Sequence, residues 1–172
     1  MSTLQIILVV IVAFIVGCSS VNDQIETYQP IVACSLIGLV TGHLELGVML
    51  GGSLQLITMG WANVGAAMAP DAALAGVASA IILIEGNQGA QGIGPAIALA
   101  VPLAVAGLGL TMLVRTATVF IAHIMDSRAE EADINGIQMW HFIGMALQGM
   151  WVAIQALLLM LIPVNVVRQG LE

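Results

Sequence analysis

Ala69-Pro70-Asp71-Ala72-Ala73-Leu74-Ala75-Gly76-Val77-Ala78-Ser79-Ala80-Ile81-Ile82-Leu83 sets one carboxylate between a proline and an apolar run. Proline lacks an N–H and fixes φ near a helical value, so it marks a helix start. Asp71 is thereby expected at the N-terminus of a helix running from Ala72 to Leu83. Such a helix reaches roughly 18 Å at about 1.5 Å per residue, whereas the hydrocarbon core of a bilayer is about 30 Å thick. The windows on either side, 46–70 and 86–114, contain no Asp, Glu, Lys or Arg. A short helix inside membrane-type sequence is a half-helix, the geometry from which transporters build their ligand sites.

The rest of the chain agrees with a membrane setting. Of its 172 residues 60% are hydrophobic and 8% charged, against roughly 25% charged in a soluble domain. Further charge-free windows cover 1–22, 27–44, 72–84 and 134–167. Because 27–44 and 72–84 are short and 46–70 is rich in glycine and polar groups, the expected fold is an all-α membrane protein. It is a polytopic helical bundle with broken or re-entrant helices rather than a row of straight spans. Ten acids face three arginines and no lysine, a net charge of -7, which excludes nucleic acid and a polybasic lipid anchor. The run Leu4 to Val16 leading into Gly17-Cys18-Ser19-Ser20 imitates a lipoprotein signal but lacks a basic start, so it is read as a helix.

The compact charge cluster Asp126 to Asp133, followed by Asn135-Gly136, reads as a polar loop over 126–139, either a hairpin tip or a docking site. Gly38/Gly42 and Gly47/Gly51 have the small-xxx-small spacing of close helix contacts. No second domain is visible, so 1–172 is treated as one membrane-embedded unit. Cys18 and Cys34 lack metal-ligand or CxxC spacing and read as small packers, and no metal or other cofactor is expected.

Polar side chains concentrate between Gly51 and Gln91, where Gln55, Trp61, Asn63, Asp71 and Gln88 stand among Ala, Gly, Leu, Ile and Val. Inside a membrane each such group needs a partner, and a concentration of them lines a pathway. Amides, one carboxylate and an indole with almost no positive charge suit an uncharged polyol better than an anion. Simpler roles stand beside this one. Asp71 suits a helix cap, Trp61 core or interface packing, Gln55 and Asn63 cross-helix bonds, and Gln88 an exposed loop. Arg115, inside an apolar run, reads as a structural pair, and His43, His123 and His141 lack the neighbours of a catalytic set.

Gln29 to Gly42, Gly51-Gly52-Ser53-Leu54-Gln55-Leu56-Ile57 and above all Gly60-Trp61-Ala62-Asn63-Val64-Gly65 through Pro70-Asp71-Ala72-Ala73-Leu74-Ala75 resemble the IIC membrane component of the mannose-type sugar phosphotransferase system. The likeness continues through Ile93-Gly94-Pro95-Ala96, Val101-Pro102, Val114-Arg115-Thr116 and Trp140-His141, so it covers nearly all of the chain. The resemblance implies a permease of the bacterial inner membrane that carries mannose or glucose inward. It implies a IID membrane subunit as partner in a trimer of IIC–IID pairs. The sugar is then phosphorylated by soluble IIB, which IIA loads, so no catalytic residue is expected here. It also implies a scaffold and a mobile core working as an elevator. Trp61, Asn63 and Asp71 become sugar-site candidates, with Gln55 next, whereas Glu85-Gly86-Asn87-Gln88 departs from the family pattern, so Gln88 is a candidate on composition alone. Sorbose or fructose carriers of the same family, a mainly structural subunit whose sugar is held by IID, and a bacteriocin target are the alternatives. Family members usually extend beyond Gly170-Leu171-Glu172, so the chain is expected to be incomplete at its C-terminus.

Overall fold

The computed structural model of the chain describes residues 1–22, 26–61 and 68–171. The centre of the fold is α4, Ala72–Gly86, which is buried without a break from Ala73 to Leu83. A helix enclosed on all sides must be apolar all round, and its many Ala and Gly residues let the neighbours approach closely. A Cβ added at Gly76 would stand 3.2 Å from Cβ of Ala33. At 15 residues α4 is about 22 Å long, too short to span, as its sequence indicates. It ends later than Leu83 because Asn87 adopts the left-handed conformation, φ 54°, and closes the helix by donating its N–H to the Leu83 carbonyl.

Among the described residues, three helices long and apolar enough to cross a membrane stand around α4: α1 (Thr3–Asn22), α5 (Ile93–Glu130) and α6 (Ile134–Met160). Ile7, Ile11 and Ile15 of α1 recur every four residues and are exposed, the pattern of a lipid-facing stripe. α1 and α6 pack against each other through glycines, since a Cβ on Gly17 would lie 3.0 Å from Cα of Gly149. Cys18 fills the space over Gly149, and buried Cys34 donates its S–H to the Gly76 carbonyl at 3.3 Å. Both cysteines are packing residues in this fold.

α2 (Pro30–Thr41) and α3 (Leu44–Thr58) form a short hairpin against one side of α4. Gly38, Gly47 and Gly51 make the close approach: a Cβ on Gly51 would stand 2.8 Å from Cα of Ile31, and one on Gly47 would meet the Cys34 carbonyl. Gly42 has a different duty from its spacing partner Gly38. It sits at φ 84° as the C-cap of α2, with nothing near its missing side chain, while His43 N–H bonds to the Gly38 carbonyl at 2.7 Å. A 3-10 turn, Gly89–Gly92, leads into α5, and α7 (Val164–Leu171) packs on α4 and α5.

The polar loop expected over 126–139 shrinks to the turn 131–133. Its charged residues continue α5 to Glu130, because solvated charges are compatible with helix. Asp133 is the N-cap of α6, accepting from Gly136 N–H at 2.9 Å, so Asn135-Gly136 lies in the first helical turn instead of forming one of its own. Arg128 holds this tip together through Glu131 at 3.2 Å and Asp133 at 3.7 Å.

Candidate functional site

The N-terminus of α4 opens on a cavity of about 240 Å³. Asp71 stands there as the N-cap: one carboxylate oxygen accepts from Leu74 N–H at 3.1 Å, the other from the Thr111 hydroxyl at 3.4 Å. Proline at 70 and a carboxylate at 71 are what an enclosed helix start needs, since the first N–H groups of a helix have no partner within it. One turn beyond Thr111 on α5, Arg115 lines the same cavity, and its charge acts on Asp71 through space. Gln148 enters from α6 and is 5% exposed, and Tyr28 and Trp61 complete the polar wall.

A second cavity, about 380 Å³, shares Tyr28, Trp61 and Ala72 with the first and is lined by Gln29, Gln55 and Thr58. Gln55 is committed on both sides of its amide. Its oxygen accepts from Ile31 N–H at 3.2 Å, and its NH₂ donates to the Gln29 side chain, which in turn donates to Glu26. Because Gln29 makes no cap bond of its own to α2, Gln55 supplies the missing acceptor from across the hairpin.

Of the residues singled out by sequence, Asp71 and Trp61 therefore share one cavity, with Gln55 next door. Asn63 lies outside the described residues. Gln88 precedes the 3-10 turn at the opposite end of α4, about 22 Å away by helix length, and lines neither cavity. Thr111, Gln148 and Tyr28 were missed. Gln148 carried the same signal as the others, an amide in an apolar span, but it lies far from the polar run at 51–91. Arg115 meets Asp71 without a salt bridge among the described residues. No group of three His, Cys, Asp or Glu side chains that could hold a metal occurs among the described residues.

The cavity at the start of this half-helix thus gathers a carboxylate, an amide, an indole, the guanidinium of Arg115 and the hydroxyls of Ser20, Tyr28 and Thr111. The family model described as the PTS system sorbose-specific IIC component matches residues 3–172. The chain belongs to this family. It is an integral protein of the bacterial inner membrane, all-α and multi-pass. It is 49% identical over 168 residues to the fructose permease IIC component of Bacillus subtilis (strain 168), covering 98% of this chain and 61% of the relative. It is 46% identical over 160 residues to the mannose-specific EIIC component of Escherichia coli (strain K12), covering 93% of this chain and 59% of the relative. A cryo-EM structure of the mannose transporter ManYZ in complex with microcin E492 superposes with a TM-score of 0.85 at 43% identity, covering 99% of this chain and 73% of that one. The IIC chain thus spans about three-fifths of the length of the two relatives.

Proposed function

We propose that this IIC chain forms the sugar site of a phosphoenolpyruvate-dependent permease and that the Asp71 cavity holds one hexose. The observation that carries the reading is a half-buried carboxylate with a spare acceptor site in a cavity of about 240 Å³, which is smaller than the roughly 300–1,000 Å³ of pockets for drug-sized ligands. Asp71 accepts from a sugar hydroxyl, Gln148 and Tyr28 exchange bonds with others, and Trp61 covers the apolar ring face. Asn63 is proposed with them on the family resemblance alone. Gln55 acts on the site indirectly, by fixing the start of α2.

The chain works beside a IID membrane subunit, and soluble IIA and IIB supply the phosphoryl group. Trimers of IIC–IID pairs follow the family pattern. Mannose or glucose is the favoured sugar, with fructose and sorbose as the competing substrates that relatives' names suggest. The likeness to a transporter complexed with a microcin supports a further role as a bacteriocin target.

The test is uptake of labelled mannose, glucose, fructose and sorbose by cells lacking their own mannose-type system and producing this chain with IID and IIAB. Accumulation that stops when phosphoenolpyruvate is withdrawn supports the permease, and the preferred sugar names the substrate. A complex that reaches the membrane but binds sugar equally well with Asp71→Asn favours the scaffold reading, in which IID holds the sugar.

A further inference from the structure

Beyond the Asp71 cavity α5 and α6, with the end of α1, border a third space, an open groove of about 340 Å³, further along α5 toward the turn at 131–133, in which Arg115 is exposed. It is bounded by Asn22, Arg115, Thr118, Trp140, His141 and Gln148. Arg115 and Gln148 line this space and the Asp71 cavity alike, so these two side chains form the partition between them. The cavities differ in charge. The first combines Asp71 with Arg115, whereas the third has Arg115 and, among the described residues, no carboxylate in its lining.

We propose that this third cavity is a phosphomonoester subsite, with Arg115 as its anchoring cation, which takes the phosphorylated form of the ligand held beside Asp71. The proposal rests on the permease reading above. A neutral sugar tolerates Asp71, but its phosphate ester is repelled by that carboxylate and attracted by the guanidinium one helical turn beyond Thr111. A planar fork of donors matches phosphate oxygens bidentately, and Arg115 provides one that no salt bridge occupies among the described residues. Arg128, by contrast, is engaged by Glu131 and Asp133. Thr118, Asn22 and Gln148 add neutral donors around the same space. Gln148 makes no hydrogen bond among the described residues although it is 5% exposed, so its amide is available to a guest on either side.

The experiment measures binding of mannose, mannose 6-phosphate and inorganic phosphate to the intact membrane complex in nanodiscs. Wild type, Arg115→Gln and Arg115→Lys are compared after size-exclusion shows that each assembles. Because Arg115 also lines the Asp71 cavity, the readout is the ratio of the two affinities: Arg115→Gln is expected to weaken mannose 6-phosphate about tenfold more than it weakens mannose, with Arg115→Lys in between and inorganic phosphate competing only with the ester. Equal weakening of sugar and ester, or an unchanged ester, overturns the subsite. Wild type that binds mannose but not its phosphate overturns the subsite alone, and wild type that binds neither overturns the permease reading with it. A lipid phosphate has the same chemistry, so the series is repeated with phosphatidylglycerol in place of phosphatidylcholine. Competition by phosphatidylglycerol assigns the cavity to a lipid headgroup and refutes the product assignment.

Discussion

Asp71 can be asked whether it is a helix cap or a ligand group, because its two roles respond differently to one substitution. A carboxylate has about four acceptor positions. Leu74 N–H and the Thr111 hydroxyl occupy two of them, at 3.1 and 3.4 Å, and Ala73 N–H takes a third, which leaves one for a sugar hydroxyl. Asparagine caps a helix about as well as aspartate, so Asp71→Asn should leave the thermal stability of the complex nearly unchanged. It converts a charge-assisted bond to the ligand into a neutral one, a loss of about 1–1.5 kcal/mol. That lowers hexose affinity about 5- to 13-fold. Asp71→Ala removes the cap as well, at a cost of about 1 kcal/mol in stability, and deprives Thr111 of its acceptor. Titration calorimetry of the purified complex with hexose, beside thermal unfolding of the same samples, separates the two. If Asp71→Asn binds hexose within threefold of wild type while Asp71→Ala is weakened, the carboxylate serves the helix alone and the site reasoning is wrong.

Other substitutions test the packing and the division of labour. Gly47→Ala drives a Cβ into the Cys34 carbonyl and should destabilise the α2–α3 hairpin by about 1–3 kcal/mol, whereas Gly52→Ala, with nothing within 4 Å, should be silent in the same thermal scan. Gly107→Ala places its Cβ against Cδ2 of Leu74, so unfolding measurements should show Leu74→Val relieving part of its penalty, a coupling absent if the two helices simply move apart. Gln55→Ala should lower the melting temperature by removing the acceptor for Ile31 N–H, yet leave hexose affinity within about threefold, and a larger loss of affinity would return Gln55 to direct contact.

What sequence could show depended on whether the signal was local. Pro70-Asp71 before an apolar run too short to span is a complete local statement, and α4 with its Asp71 cap follows from it. The charge cluster at 126–133 misled because charge density reports solvation, not backbone conformation, and a solvated helix end looks like a loop. Gly38 and Gly42 share a spacing that implies one role, but packing and chain reversal both favour glycine, and only tertiary context separates them. Gln55 was visible as a polar group needing a partner, but its partner is an N–H 24 residues earlier, which no window of sequence brings together. Gln88 shared the composition of the site without its location, since a helix of 15 residues separates it from Asp71.

The same geometry accounts for a single carboxylate placed where the cap role and the proposed ligand role coincide. An enclosed half-helix cannot leave its first N–H groups to water, so some acceptor must sit at its start. A hydroxyl or amide there would satisfy the helix and have little left over. A carboxylate satisfies the helix, ties its start to Thr111 of α5, and still has capacity facing a cavity built from four other segments. Its charge in turn requires a counter-charge, and Arg115 on the same face of α5 as Thr111 supplies one from a distance that stops short of a salt bridge. That spacing matters. A closed Asp71–Arg115 pair would consume the acceptor a sugar needs and the guanidinium a phosphate needs, whereas a separated pair leaves each to its own side of the partition.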